Sequence, residues 1–177
     1  DPGKVAVIGD SQVGGLRPHL LKDIACYFKN GAGILDILKI AQRNAANLAT
    51  KSLVYVQAGG NDVWNGNLAK MKEDMSRLIA FVRKAAPNAR IVPGTIPPRS
   101  EGIALIKDPE QREQVAACLK DYNDWIRSQS ETFDISAAVS RDSSKYPKQK
   151  DDVHFQSAGY KELARHFLKQ FHIERPV

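Results

Sequence analysis

The sequence predicts an α/β sandwich built around a mostly parallel sheet. Three observations carry that prediction. Short apolar runs such as Lys4-Val5-Ala6-Val7-Ile8 read as buried strands. Longer stretches place their apolar residues at helical spacing. The two kinds of segment alternate along the chain, which is the pattern of strand–helix–strand crossovers.

The elements follow in order. The first strand ends at Gly9-Asp10, and Leu16, Leu20, Ile24 and Tyr27 then recur at helical spacing. After Asn30-Gly31-Ala32-Gly33, residues Ile34, Ile37, Leu38, Ala41, Ala45 and Leu48 predict a second helix. Ser52 to Gln57 is a second strand. Leu68, Met71, Met75, Leu78, Ile79 and Val82 mark a long amphipathic helix that Pro87-Asn88 terminates. Arg90-Ile91-Val92-Pro93 is a third strand, closed by Thr95-Ile96-Pro97-Pro98. Val115, Cys118, Leu119, Tyr122 and Trp125 mark another helix, Phe133-Asp134-Ile135 a short strand, and Tyr160, Leu163, Phe167 and Phe171 the last helix. Arg99 to Glu110 reads as a surface insertion or lid. Ser140 to Asp152 reads as a long polar loop, a kind of segment that often carries function.

Composition sets the limits. With 177 residues, 42% hydrophobic and 26% charged, the chain reads as one domain over 1–177 with a full core, which excludes wholesale disorder. No apolar stretch is long enough for a membrane-spanning helix. The net charge of +6 permits anionic partners without demanding them, because the cations are spread along the chain. Two cysteines, Cys26 and Cys118, are too few for a disulfide framework. Both fall in apolar helical patterns and read as core residues. They lean toward a reducing, cytoplasmic compartment. No Cys/His spacing suits zinc, so no metal or cofactor is expected. The chain begins just before its first strand, without a Met or a leader. It therefore reads as a domain of a larger protein or a processed form.

In an open α/β sheet, ligands bind at the carboxyl ends of the strands. Four segments fall there. Ser11 stands where the first strand turns into a helix, and a helix N-terminus favours negative charge beside it. Its plainer role is helix capping, by Ser11 or by Asp10. Gly9 to Gly15 has phosphate-loop glycine spacing but lacks the Lys-Ser/Thr that must follow. The Gly-x-Ser-x-Gly elbow is also absent, because Val13 holds its last position. His154 closes the long loop and can serve as a base near neutral pH, with Asp151 three residues earlier to orient it. His19, His166 and His172 have no such partner in their patterns. Asn61, in the turn Gly59-Gly60-Asn61-Asp62, offers a side-chain donor for an oxyanion, and Gly33 offers a backbone N–H at a helix start. Either glycine stretch can equally be a plain turn.

Taken together these segments place nucleophile, oxyanion donors, orienting acid and base in order at one end of one sheet. The chain resembles the SGNH (GDSL-type) hydrolases. Gly9-Asp10-Ser11 matches that family's first block, Gly33 its second, Gly59-Gly60-Asn61-Asp62 its third and Asp151-Asp152-Val153-His154 its last. The resemblance spans nearly the whole chain. It implies a three-layer, flavodoxin-like α/β/α sandwich with about five parallel strands. It also implies a metal-independent serine esterase: Ser11 the nucleophile, His154 the base, Asp151 its orienting partner, and an oxyanion hole from Ser11 N–H, Gly33 N–H and the Asn61 side chain. Gln12 replaces the family's usual Leu, Asp152 stands where Gly is common, and Gly31 remains an alternative to Gly33.

Gln12 and Trp64 are candidates to line the substrate pocket; core packing is the plainer role of Trp64. The modest chain length favours short acyl or acetyl esters, of small molecules or lipids. Arg99, Lys107 and Arg112 are expected to put positive charge on the lid. Lys145, Lys148 and Lys150 put more just before Asp151, where a solvated loop is the plainer reading. SGNH-type domains also occur in the first open-reading-frame protein of some animal non-LTR retrotransposons. The start of the chain and its basic charge are compatible with that context, as they are with a bacterial cytosolic esterase. The alternative function is a lipid- or nucleic-acid-binding accessory domain, reaching an anionic membrane surface or nucleic acid through its host protein. Against it, the chain lacks a basic stripe interleaved with aromatics.

Overall fold

In a computed structural model of the chain, which describes residues 1–129, 131–141, 144, 146 and 154–174, four parallel strands form one sheet in the order β2-β1-β3-β4. These are β1 (Val5–Gly9), β2 (Ala25–Phe28), β3 (Leu53–Gln57) and β4 (Arg90–Pro93). Alternation within the strands splits the interior into two cores. Ala6, Ile8, Val54 and Val56 face one side, against α2 (Ile34–Arg43), α3 (Ala45–Leu48), α4 (Leu68–Ala85) and α6 (Pro109–Arg127). Val5, Val7, Leu53 and Tyr55 face the other side, against α1 (Ser11–Leu16), α7 (Ile135–Arg141) and α8 (Ser157–Gln170). The two covered faces make the expected α/β/α sandwich, and they explain why β1 and β3 are buried at every position and largely apolar.

The sequence and the structure differ at three elements. Residues 16–27 do not form one helix. Helix α1 stops at Leu16, Arg17–His19 is a single 3₁₀ turn containing Pro18, and Ala25–Phe28 then pairs with β1. Gly14, Gly15 and Pro18 weaken a helix there, and pairing with a central strand outweighs the spacing of four apolar residues. Cys26 is therefore a half-buried strand residue. The second helix breaks at Asn44 into α2 and α3. The expected fifth strand is reduced to one parallel bridge, Phe133 to Gly94, on the outer edge of β4. Asp134 ends it, because its carboxylate accepts the Ala137 N–H and so caps α7 from Ile135 onward.

Side chains fasten the carboxyl ends of the strands to one another. Gln57, fully buried at the end of β3, accepts from the Tyr55 hydroxyl and donates to Thr95 O at 3.1 Å. Thr95 Oγ1 donates to Asp134 at 2.9 Å. Asn123 of α6 pairs with both backbone groups of Ile96, at 2.8 and 2.9 Å. The segment after β4 is thereby held to α6. Helix α5 (Ser100–Ala104) lies in that segment, and Leu105, just beyond it, is 81% exposed. Arg99 does not put its charge on the surface as a lid would: it is 2% exposed. No helix among the described residues is long and apolar enough to cross a membrane.

Candidate active site

Each central strand delivers a turn to the same end of the sheet. After β1, Asp10 adopts an extended conformation and its side chain accepts the Gln12 N–H at 3.0 Å, so Asp10 caps α1 and Ser11 is the helix's first residue. Gly9 makes this possible. A side chain there would collide with the backbone of Gln57 on β3. Ser11 is thus fixed at a helix N-terminus, at the mouth of the crevice beside β1.

His154 meets it from the far end of the chain. Its Nε2 lies 2.8 Å from Ser11 Oγ. With the ring neutral and its proton on Nδ1, the serine hydroxyl donates to Nε2, the arrangement a general base needs. The position of His154 is set by its neighbour. Phe155 is buried and its ring packs edge-on against Tyr160 at 5.5 Å between centroids. Tyr160 donates its hydroxyl to Gln12 Oε1 at 3.1 Å. Gln12 is itself 2% exposed. Its side chain therefore does not line the cleft; it ties the helix that begins at Ser11 to the segment carrying His154. Asp151, and with it Asp152, Lys145, Lys148 and Lys150, lies outside the described residues.

The other two turns meet each other. Asn61 Nδ2 donates to Ala32 O at 2.9 Å, and both Asp62 oxygens accept the Ile34 N–H at 3.1 and 3.2 Å. The Gly59-Gly60-Asn61-Asp62 turn is thus bonded to the start of α2. Burial raises the Asp62 carboxyl, and the Ile34 N–H pulls it back down in part. Gly59, at φ +106°, lies against the Tyr122 ring, whose hydroxyl donates to Ala58 O. The Gly33 N–H donates to Asp36 Oδ2 at 3.0 Å, capping α2. Gly31, at φ +75°, lines the same cleft as Ser11, Asn61 and His154. Trp64 stands apart, partly buried against the core under α4 and α6.

The cleft over Ser11 measures about 680 Å³, within the usual range for small-molecule sites. Its walls are Phe28, Phe155 and Tyr160, with Gly14 and Gly15 beneath. A side chain at Gly15 would run into the Tyr160 ring, and one at Gly14 would crowd Phe28. The two glycines are therefore seats for aromatic rings. Sequence reasoning missed this wall, since nothing local says which ring reaches which glycine.

Behind the serine, Asp10 is 2% exposed, and burial lifts its carboxyl to about 6. The Gln12 N–H, the Arg99 charge and His154 oppose that rise, and Asp62 adds to it. A carboxylate next to the serine can stabilise an imidazolium forming on His154. Among the described residues, no three His, Cys, Asp or Glu side chains gather in a way that could hold a metal.

Comparison with known proteins gives the family and the fold. A model of the GDSL-like lipase/acylhydrolase family matches residues 23–162, a span that includes Asn61 and His154 but begins after Ser11. No curated protein matches the chain in sequence. Solved structures match its fold. A lipolytic protein of the G-D-S-L family from Veillonella parvula superposes with a TM-score of 0.72 at 12% identity, covering 96% of this chain and 98% of that one. A GDSL-like lipase from Bacteroides thetaiotaomicron gives 0.70 at 16%, with 96% and 87% covered. The C-terminal catalytic domain of a Streptococcus pneumoniae peptidoglycan O-acetyltransferase gives 0.66 at 16%, with 95% and 92% covered. With a parallel sheet covered on both faces and a family match over most of its length, the chain belongs to the GDSL-like lipase/acylhydrolase family.

Proposed function

We propose that this chain is a serine esterase that cleaves short acyl or acetyl esters through an acyl-enzyme. The observation that carries the reading is the 2.8 Å contact between Ser11 Oγ and His154 Nε2, formed at a helix N-terminus in an open cleft. In the first step Ser11 Oγ attacks the ester carbonyl and its proton passes to His154. The tetrahedral intermediate collapses, and the alcohol leaves with the proton from His154. A water molecule, deprotonated by the same imidazole, attacks the acyl-enzyme; the acid departs and Ser11 regains its proton. Asp151 is the residue assigned to orient the ring and stabilise its charged form.

The oxyanion forming in each step is assigned to Ser11 N–H and Asn61 Nδ2, with a glycine N–H as third donor. An amide nitrogen carries two hydrogens, so Asn61 can hold Ala32 O with one and offer the other. Gly31 lines the cleft, whereas Gly33 N–H has Asp36 as its acceptor and must exchange it to serve. Short acyl groups fit an open cleft whose walls are three aromatic rings and bare glycine backbone.

Hydrolysis of p-nitrophenyl acetate, butyrate and octanoate tests the reading. The expected result is turnover that falls with chain length and drops by about 10⁴-fold or more in Ser11→Ala. Equal activity in wild type and variant would remove Ser11 from its role. A chain inactive on all three but saturably binding lipid or RNA would favour the accessory-domain alternative.

A further inference from the structure

Helix α6 has a second face, turned away from the sheet, that the core uses only in part. Val115, Cys118, Tyr122 and Ile126 are buried under the sheet. Arg112, Ala116, Leu119, Asn123 and Arg127 recur at helical spacing on another side, and the segment running from Pro98 into α5 folds against them. Between the two lies a cavity of about 520 Å³, again the size of a small-molecule site. It shares no lining residue with the cleft over Ser11.

The chemistry of the two sites differs. Among the described residues, the cleft is lined by no Lys, Arg, Asp or Glu. The cavity is lined by Arg99, Arg112, Lys120 and Arg127 and, among the described residues, by no carboxylate. Three of those cations act on carboxylates: the Arg99 charge lowers the Asp10 carboxyl, Asp124 pairs with Lys120 at 2.7 Å and with Arg127 at 3.1 Å, and Asp134 also pairs with Arg127 at 2.8 Å. Arg112 is held differently. Its Nε and Nη2 donate to Ile106 O at 3.0 and 2.8 Å, a neutral acceptor that fixes the guanidinium and leaves its charge in place. Beside these cations the lining is aliphatic: Ile103, Ala104, Ala116 and Leu119. Among the described residues no aromatic ring lines it, so it offers a base no aromatic platform.

A cavity with an aliphatic wall and a guanidinium held by a neutral carbonyl suits an anion on a saturated chain. We propose that it is a second ligand site, distinct from the cleft over Ser11, and that it takes a medium-chain carboxylate. The tail lies on Ile103, Ala116 and Leu119, and the head meets Arg112. The site does not depend on the esterase reading, because none of these residues takes part in it.

Isothermal titration of the full chain with sodium octanoate tests this, with octan-1-ol as the uncharged control. The expected result is saturable binding at one site, with octanol at least tenfold weaker. Arg112→Glu should weaken octanoate at least tenfold, by reversing the charge at a half-buried side chain that solvent still reaches. Ala116→Trp, which fills the cavity at an exposed position without changing charge, should also remove binding. Absence of saturable binding to the wild-type chain would overturn the proposal. So would affinity unchanged in both variants, which would place octanoate elsewhere, for instance as a product in the cleft over Ser11.

Discussion

At the scale of single residues, the site rests on a carboxyl group held where water barely reaches it. Asp10 is fully enclosed and titrates near 6 instead of the ordinary carboxylate range. A raised acid pKa means that the folded chain binds the proton more tightly than the unfolded chain. Folding stability from this group is therefore greatest at low pH and is lost as pH rises from about 4 to about 6. A shift of this size corresponds to about 3 kcal/mol. Asp10→Asn keeps an acceptor for the Gln12 N–H and cannot ionise. The stability of wild type relative to Asp10→Asn, from urea unfolding, should fall by about that amount between pH 4 and 7; a constant difference would show that Asp10 does not titrate there. Asn61 carries the second prediction at this scale. Asn61→Ala should lower kcat by about 10²-fold with little change in KM, and an unchanged kcat would take Asn61 out of the oxyanion hole. The sequence made Ser11 and Asn61 legible because each stands in a short pattern of polar and glycine residues just past a strand, and His154 because it closes a polar stretch ahead of the last helix. It left Gln12 and Arg99 illegible. Both are polar residues buried by partners far along the chain, and only the fold reveals such a partner.

At the scale of elements, the strands and the long amphipathic helices could be read, since burial of one face leaves a period in the sequence. Strand β2 could not. Its residues Ala25 to Phe28 are only half-buried, and Ile24 and Tyr27 also fit a helix begun at Leu16. Its strand character comes from hydrogen bonding to β1. The fifth strand was overread for the opposite reason: Phe133 has the apolar character of a strand, but the cap formed by Asp134 starts α7 one residue later. The contact between α1 and α8 links element packing to catalysis. Gly15 seats the Tyr160 ring, and the Tyr160 hydroxyl is committed to Gln12, so the ring has little freedom to retreat. Gly15→Ala should cost about 1–3 kcal/mol in unfolding free energy by overpacking. It should also lower ester hydrolysis, because the displaced ring carries Phe155 and His154 with it. Unfolding and activity both at wild-type values would show that the ring is not clamped.

At the scale of the whole molecule, one sheet separates two cores and presents the turns after β1 and β3 to a single crevice. Ser11 and His154 lie 143 residues apart in sequence and 2.8 Å apart in space, so the contact between them is a property of the complete fold. The same chain keeps its uncharged cleft apart from the cationic cavity beside α6. The most direct test of the account is therefore the chemical reactivity of Ser11 itself. The chain is treated with phenylmethylsulfonyl fluoride and read by intact mass and peptide mapping, in wild type and in His154→Ala. The account predicts one sulfonyl adduct per chain, on Ser11, with loss of esterase activity in step with labelling, and labelling slowed by orders of magnitude in His154→Ala. An adduct on another residue, or equal labelling of Ser11 with and without His154, would contradict it.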